Sequence, residues 1–270
     1  MDMIAIASTN VTFMSIVAAV CILGPIIAAI IAAVRFRCGP MPILIGVLVY
    51  LLSQLVIRTP LLNFLYAIPG VGGFLNAHGI FSDFIFSLTT AVIEEFARWA
   101  AFFFVLKRRV NDYSAITYGI GHGGAEVILV AGFAYINHYI TAQAINLSFE
   151  SPFEADVMAD LAAASQSLSE LTPRVMLLTI VIEAAAICMH VMYTFIIARG
   201  VRYGTTKICL PLSMAMHFLY VFLGSLIGRM PDGVLWQAIF SVIVAAACVY
   251  YLLEARRRAV MADYEKKRNS

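Results

Sequence analysis

The chain has 270 residues, 62% of them hydrophobic and only 13% charged, with a formal net charge of +2. Soluble domains carry about 25% charged residues, so a water-soluble globular fold is excluded, and the near-balanced charge implies neither nucleic acid nor an acidic substrate as a partner. The five cysteines (Cys21, Cys38, Cys188, Cys209 and Cys248) are scattered, form no CxxC pair and give no disulfide framework.

The first apolar run, about residues 12–34, is too long for a signal-peptide core and reads as a retained span, followed by Arg35 and Arg37. A second run, about 41–57, contains Gln54, a single polar group that faces protein rather than lipid, and ends at Arg58, Thr59 and Pro60. Pro60, Pro69, Gly70, Gly72 and Gly73 punctuate 60–79, which reads as an apolar loop in the interface or re-entering the membrane. The third span, about 80–106, carries Glu94, Glu95 and Arg98 and stops at Lys107, Arg108 and Arg109.

The fourth span, about 113–139, holds His122 and Glu126 among glycines that permit close helix contact. Gly119, Gly121 and Gly124 match GxGxxG, but no strand precedes them, so a dinucleotide site is rejected. Residues 141–173 turn acidic, with Ala155 to Leu168 forming a short surface helix. Asn10 and Asn146 match the glycosylation pattern. The fifth span, about 174–198, carries Glu183 and His190, the sixth, about 208–227, carries His217, and the seventh, about 234–253, is free of charge. The reading is an all-α membrane protein: a single domain over 1–270 with about seven transmembrane helices, an outer loop at about 141–173, a basic tail at about 254–270, and a polar site between helices 3, 4, 5 and 6.

Lys and Arg concentrate in cytoplasmic loops. Of the 18 here, all but Arg58, Arg98, Arg174 and Arg229 follow spans one, three, five and seven, which places the N-terminus outside and the C-terminus in the cytoplasm of a cell, or plasma, membrane. With a rise of about 1.5 Å per residue, Arg98, His122, His190 and His217 each lie about 12 to 15 Å from the cytoplasmic ends of their spans. Glu94, Glu95, Glu126 and Glu183 lie within about two further turns, so all eight belong to one cytoplasm-facing cavity, with His190 at its edge. Ionisable side chains in hydrocarbon are costly, so this layer reads as a built site. Arg98 is four residues after Glu94 and three after Glu95, beside both carboxylates on a helix; it holds one ionised and leaves the other free.

These residues resemble the YhfC-type membrane peptidases, allied to the CAAX prenyl protease and bacteriocin-processing (CPBP, or Abi) intramembrane proteases. Those proteases carry Glu-Glu-x-x-x-Arg, here compressed by one residue as Glu94-Glu95-Phe96-Ala97-Arg98; aromatic-x-x-x-His, matched by Tyr118 and His122; and His-x-x-x-Asn, where His217 is followed by Val221 and His190 by Thr194 in place of Asn. Glu126 and the Glu183–His190 span look like features of the YhfC-type branch. The resemblance implies hydrolysis of peptide bonds of membrane-associated peptide or protein substrates. Peptide hydrolysis needs an activated water and a stabilised oxyanion. Glu94 assisted by His122 would deprotonate the water, Arg98 would orient Glu95, and His217 or His190 would stabilise the oxyanion, with no cofactor expected. The alternative is a zinc peptidase with His122, His190 and His217 as ligands and an open position for water. A proton-coupled transporter is a further alternative, since intramembrane Glu and His also form relays; a retinal-type receptor is excluded because the seventh span has no lysine.

The charge pattern predicts that single cysteines placed in the acidic 141–173 segment are labelled by an impermeant thiol reagent from outside the cell. Cysteines in the basic tail should be labelled only after permeabilisation. The reverse pattern would move the site to the outer half of the bilayer.

Overall fold

A computed structural model of the chain describes residues 3–107, 110–150 and 153–268, without the side chains of 259, 260 and 262–268. Arg108 and Arg109, counted above as the basic flank of the third span, lie outside the described residues. All regular structure among the described residues is helical: α1 Ser8–Phe36, α2 Met41–Ala67, α3 Val71–Ala77, α4 Gly79–Ala100, α5 Asp112–Ser148, α6 Ala155–Ser169, α7 Pro173–Tyr203, α8 Thr206–Gly228 and α9 Gly233–Arg268. A helix satisfies its backbone hydrogen bonds within one segment, which is what a hydrocarbon medium demands.

Six helices, α1, α2, α5, α7, α8 and α9, are long and apolar enough to cross a membrane. The third expected span is α4, prolonged by a π-helical segment at Ala101–Leu106. Together they are long enough to cross, but Asp83, Glu94, Glu95 and Arg98 make this the polar helix of the bundle. Large aliphatic side chains such as Leu23, Ile30 and Val34 of α1 and Leu44, Leu55 and Val56 of α2 point outward, as lipid contact requires.

The expected loop over 60–79 is instead helical. A π-helical segment, Leu52–Arg58, carries α2 directly into Thr59–Ala67, with Pro60 in the first turn of that continuation. The wider turn before it accommodates a ring that would clash with an i−4 carbonyl in a regular helix. Gly70, at φ +84°, makes the turn into α3. The fourth span also runs longer than expected, to Ser148, through a third π-helical segment at Ile128–Gly132. The surface helix expected at 155–168 is α6, and its Leu161 and Leu168 pack with Ile6, Tyr135, Ile145 and Met176. Asn146 is not a free glycosylation acceptor: its side chain accepts from the Ile6 N–H at 2.8 Å and donates to the Ile6 carbonyl at 2.9 Å.

The middle of the bundle is α7, buried without interruption from Met189 to Ala198. It packs against α5, α9 and α8, while α5 also packs against α2 and α1, and α8 against α4. One apolar cluster joins α1, α5, α6 and α7 around Met14, Val17, Ile145 and Met176. Another gathers Phe102, Leu106, Tyr118, Phe195 and Ile197 at the opposite end. The ionisable layer lies between these two clusters.

Glycine allows the close contact of α5 and α7. A Cβ on Gly119 would fall 2.5 Å from the Val191 Cα, whereas one on Gly24 of α1 would meet nothing within 4 Å. Gly119→Ala should therefore destabilise the bundle by about 1–3 kcal/mol through forced backbone separation. Gly24→Ala should be neutral or slightly stabilising. Thermal unfolding in detergent measures both, and equal midpoints for the two variants would contradict this packing.

Candidate functional site

Five helices supply the buried polar layer, one more than the sequence indicated. From α4 come Glu94, Glu95 and Arg98, from α5 His122 and Glu126, from α7 His190, from α8 Ser213 and His217, and from α2 Gln54 and Arg58. Glu94, Glu95, Arg98, His122, His190 and His217 are each at most 3% exposed. The site is thus enclosed among helices rather than displayed on the wall of an open cytoplasmic cavity.

The two neighbouring glutamates have different surroundings. Glu95 is fully engaged: it pairs with Arg98, accepts from Ser213 Oγ at 2.6 Å, and accepts from His217 Nδ1 at 2.8 Å. Glu94 accepts from Gln54 Nε2 and from His122 Nε2, the latter at 3.1 Å. Charge-assisted contacts of this kind are stronger than neutral hydrogen bonds. Glu95 is a structural anchor, and Glu94 faces the imidazoles.

His190 stands at the centre of the layer, not at its edge. Its ring centroid is 5.1 Å from that of His122 and 5.4 Å from that of His217. Arg98 Nη2 lies 2.9 Å from His190 Nδ1, and Glu126 forms an ion-pair contact with Nε2. Because a guanidinium only donates, Nδ1 must accept, and the His190 proton sits on Nε2 toward Glu126. Glu126 itself is 26% exposed. Glu183 is set apart, seven residues from His190 along α7 and half-buried, with no hydrogen bond or ion pair to the described residues.

Aromatic rings close the layer. Tyr193 stacks on His217 at 4.6 Å, while Tyr118 stacks on His122 and Tyr50 meets it edge-on. The Tyr118 and Tyr193 hydroxyls and His122 Nδ1 are buried with no hydrogen-bond partner among the described residues. Since buried polar atoms are normally paired, these are groups that a bound polar ligand would engage.

Two of the three expected zinc ligands, His190 and His217, lie in a close donor group, with Glu94 as the third member. Glu94, His190 and His217 each offer a ligand atom, all within 4.8 Å of one another and all buried; His122 instead supports Glu94. Two imidazoles and a carboxylate suit zinc, which takes three protein ligands and an open position in hydrolytic sites. His217 already has the orientation of a ligating histidine, donating its Nδ1–H to a carboxylate and leaving Nε2 free. His190 must release Arg98 or Glu126 to ligate. With that one adjustment, the donor set fits the metal.

Gln54, Arg58 and Ser213 are site residues that the sequence reading did not select. Their signal is spacing: Tyr50, Gln54 and Arg58 recur every four residues, and Ser213 precedes His217 by four.

The family described as YhfC intramembrane metalloprotease matches residues 20–245 of this chain. The chain is also similar to the uncharacterized membrane protein YhfC of Bacillus subtilis (strain 168), 26% identical over 176 residues, which cover 63% of this chain and 67% of that protein. No solved structure matches it significantly.

The unequal surroundings of the two glutamates make a stability prediction. Glu95→Gln leaves the buried Arg98 charge without its counter-ion and should cost about 3–5 kcal/mol. Glu94→Gln, which breaks no pair with a permanent cation, should cost distinctly less. Thermal unfolding of the two detergent-solubilised variants measures the difference, and equal losses would contradict the assignment of Glu95 as the anchor.

Proposed function

We propose that this chain, which belongs to the YhfC intramembrane metalloprotease family, hydrolyses peptide bonds of membrane-associated substrates at a metal held by Glu94, His190 and His217. The observation that carries this reading is the buried convergence of those three side chains from three different helices. A bound zinc would supply an acidified water and polarise the scissile carbonyl.

The remaining groups divide the work. Arg98 and Ser213 hold Glu95, which fixes the tautomer and the ring of His217. Glu126, in contact with His190 Nε2 and partly exposed at the margin of the layer, would be freed if His190 ligated through Nε2, and its carboxylate would then be placed to accept a proton from water. His122, whose Nε2–H donates to Glu94, orients this ligand. The distribution of basic residues supports a site in the cytoplasmic half of the bilayer, which substrates would reach from that side or within the plane of the membrane.

One observation favours a second reading, in which no metal takes part and Glu94 is the general base. His190 has both ring nitrogens engaged as it stands, by Arg98 and Glu126. His122 would then support Glu94 as it deprotonates the water.

Metal analysis and peptidase assays on the purified full chain separate the two. In the metal reading the protein retains about one zinc per chain, chelation abolishes hydrolysis, and added zinc restores it. Glu94→Gln then weakens zinc binding about tenfold or more and lowers hydrolysis by about 10²-fold or more. Metal-free protein that hydrolyses peptides at the full rate, but not as Glu94→Gln, would establish the second reading. Glu94-dependent proton uptake by vesicles without any hydrolysis would overturn both in favour of transport.

A further inference from the structure

Glu94 receives a second support from α2 that no family motif above includes. Arg58 Nη1 donates to Gln54 Oε1 at 2.9 Å, and Gln54 Nε2 donates to Glu94 Oε1. Arg58 is itself fixed to α4, the helix that bears Glu94: its Nη2 donates to the Phe86 carbonyl at 3.3 Å, and its guanidinium lies over the Phe86 ring at 3.9 Å. Arg58 is 7% exposed and Gln54 9%. A cation buried this deeply in an apolar helix is expensive to keep unless it does something there.

The order of the three groups matters. A glutamine amide presents a donor at one end and an acceptor at the other, and it can turn over at little cost unless a neighbour fixes it. A carboxylate accepts from the NH2 end and is repelled by the carbonyl end. Arg58 can only donate, so its contact with Gln54 Oε1 permits one amide orientation, with Nε2 toward Glu94. The arginine thereby dictates which end of the amide the glutamate meets, without touching the glutamate. With Oε1 of Glu94 taken by Gln54 and Oε2 by His122, the carboxylate plane is held from two sides.

The backbone of α2 is shaped to deliver this pair. Gly46, Tyr50, Gln54 and Arg58 repeat every four residues on the buried face, and in a regular helix a four-residue repeat drifts about 40° per step. The π-helical segment Leu52–Arg58 has a wider turn, which offsets that drift and keeps Arg58 on the face of Gln54. Such wide turns concentrate at functional sites.

We infer that Gln54 and Arg58 are positioning residues that fix the orientation of the Glu94 carboxylate for its role in the reaction, Arg58 acting through the Gln54 amide. The inference rests on Glu94 being a reacting or metal-holding group, as proposed above. Two readouts on the full-length purified protein keep the two claims separable. The first is zinc affinity by competition with a chromophoric chelator. The second is the carboxylate stretching band of Glu94, isolated as the infrared difference between each background and the same background carrying Glu94→Gln.

Gln54→Met, close in volume but without donors, should shift the Glu94 band and weaken zinc binding about 10–100-fold. Arg58→Met should do nearly the same although Arg58 does not touch Glu94, whereas Arg58→Lys, which keeps a cationic donor for Gln54 Oε1, should recover most of both signals. A band that moves in Gln54→Met and Arg58→Met, in a protein whose wild type shows no zinc affinity, would leave the positioning role standing and remove the metal reading. An unmoved band and unchanged zinc affinity in both Gln54→Met and Arg58→Met would overturn the inference. So would equal loss in Arg58→Lys and Arg58→Met, which would reduce Arg58 to a packing residue.

Discussion

The buried guanidinium of Arg98 is the constraint on which the rest of the site depends. A permanent cation that is 0% exposed inside a membrane bundle is tolerable only if its charge and donors are engaged. Glu95, one turn earlier on the same helix, supplies the counter-charge, and His190 supplies an acceptor from α7. Glu95 in turn draws in Ser213 and His217 from α8. The satisfaction of one charge therefore brings three helices to a common point and leaves the adjacent glutamate, Glu94, facing the histidines. Two adjacent glutamates thereby acquire different surroundings.

The scaffold keeps this arrangement rigid by unusual local means. α2 has its π-helical segment where Gln54 and Arg58 point inward, α4 has one immediately after Arg98, and α5 has one just beyond Glu126. Three of the five helices that supply the polar layer thus depart from regular geometry beside it, where a strict 3.6-residue period would rotate the needed side chains out of register. Gly119 and Gly121 then let α5 close on α7 and α2, which brings His122 and His190 to ring contact. The apolar clusters above and below keep lipid and bulk water from the layer.

Much of this was legible in the sequence because membrane burial makes polar residues conspicuous. Glu94, Glu95 and Arg98 stand out in an apolar run, and residue counting placed His122, His190 and His217 at one depth, where the structure brings them together. Counting gives height along a helix but not direction around it, which is why His190 was expected at the edge and occupies the centre. The same limit applies to Glu183, which lies on α7 at a similar height but makes no hydrogen bond or ion pair with the described residues of the layer. Gln54 was recognised as facing protein, but Arg58 was read as a span end because Thr59 and Pro60 follow it. Only the wide turn that absorbs the proline extends α2 past that point and turns Arg58 inward. The glycines at 70–73 similarly signalled a loop, whereas only Gly70 takes a positive φ there and 71–77 remain helical.

The central claim is that Glu94, His190 and His217 together hold a metal ion. Zinc K-edge X-ray absorption on the purified, zinc-loaded protein reads the ligands directly. The structure-based account predicts about one zinc per chain with two imidazoles and light oxygen donors at about 2.0–2.2 Å, and loss of one imidazole contribution in His190→Ala and in His217→Ala but not in His122→Ala. A zinc centre whose imidazole count falls in His122→Ala and stays unchanged in His190→Ala would contradict it, as would a spectrum showing oxygen ligands alone.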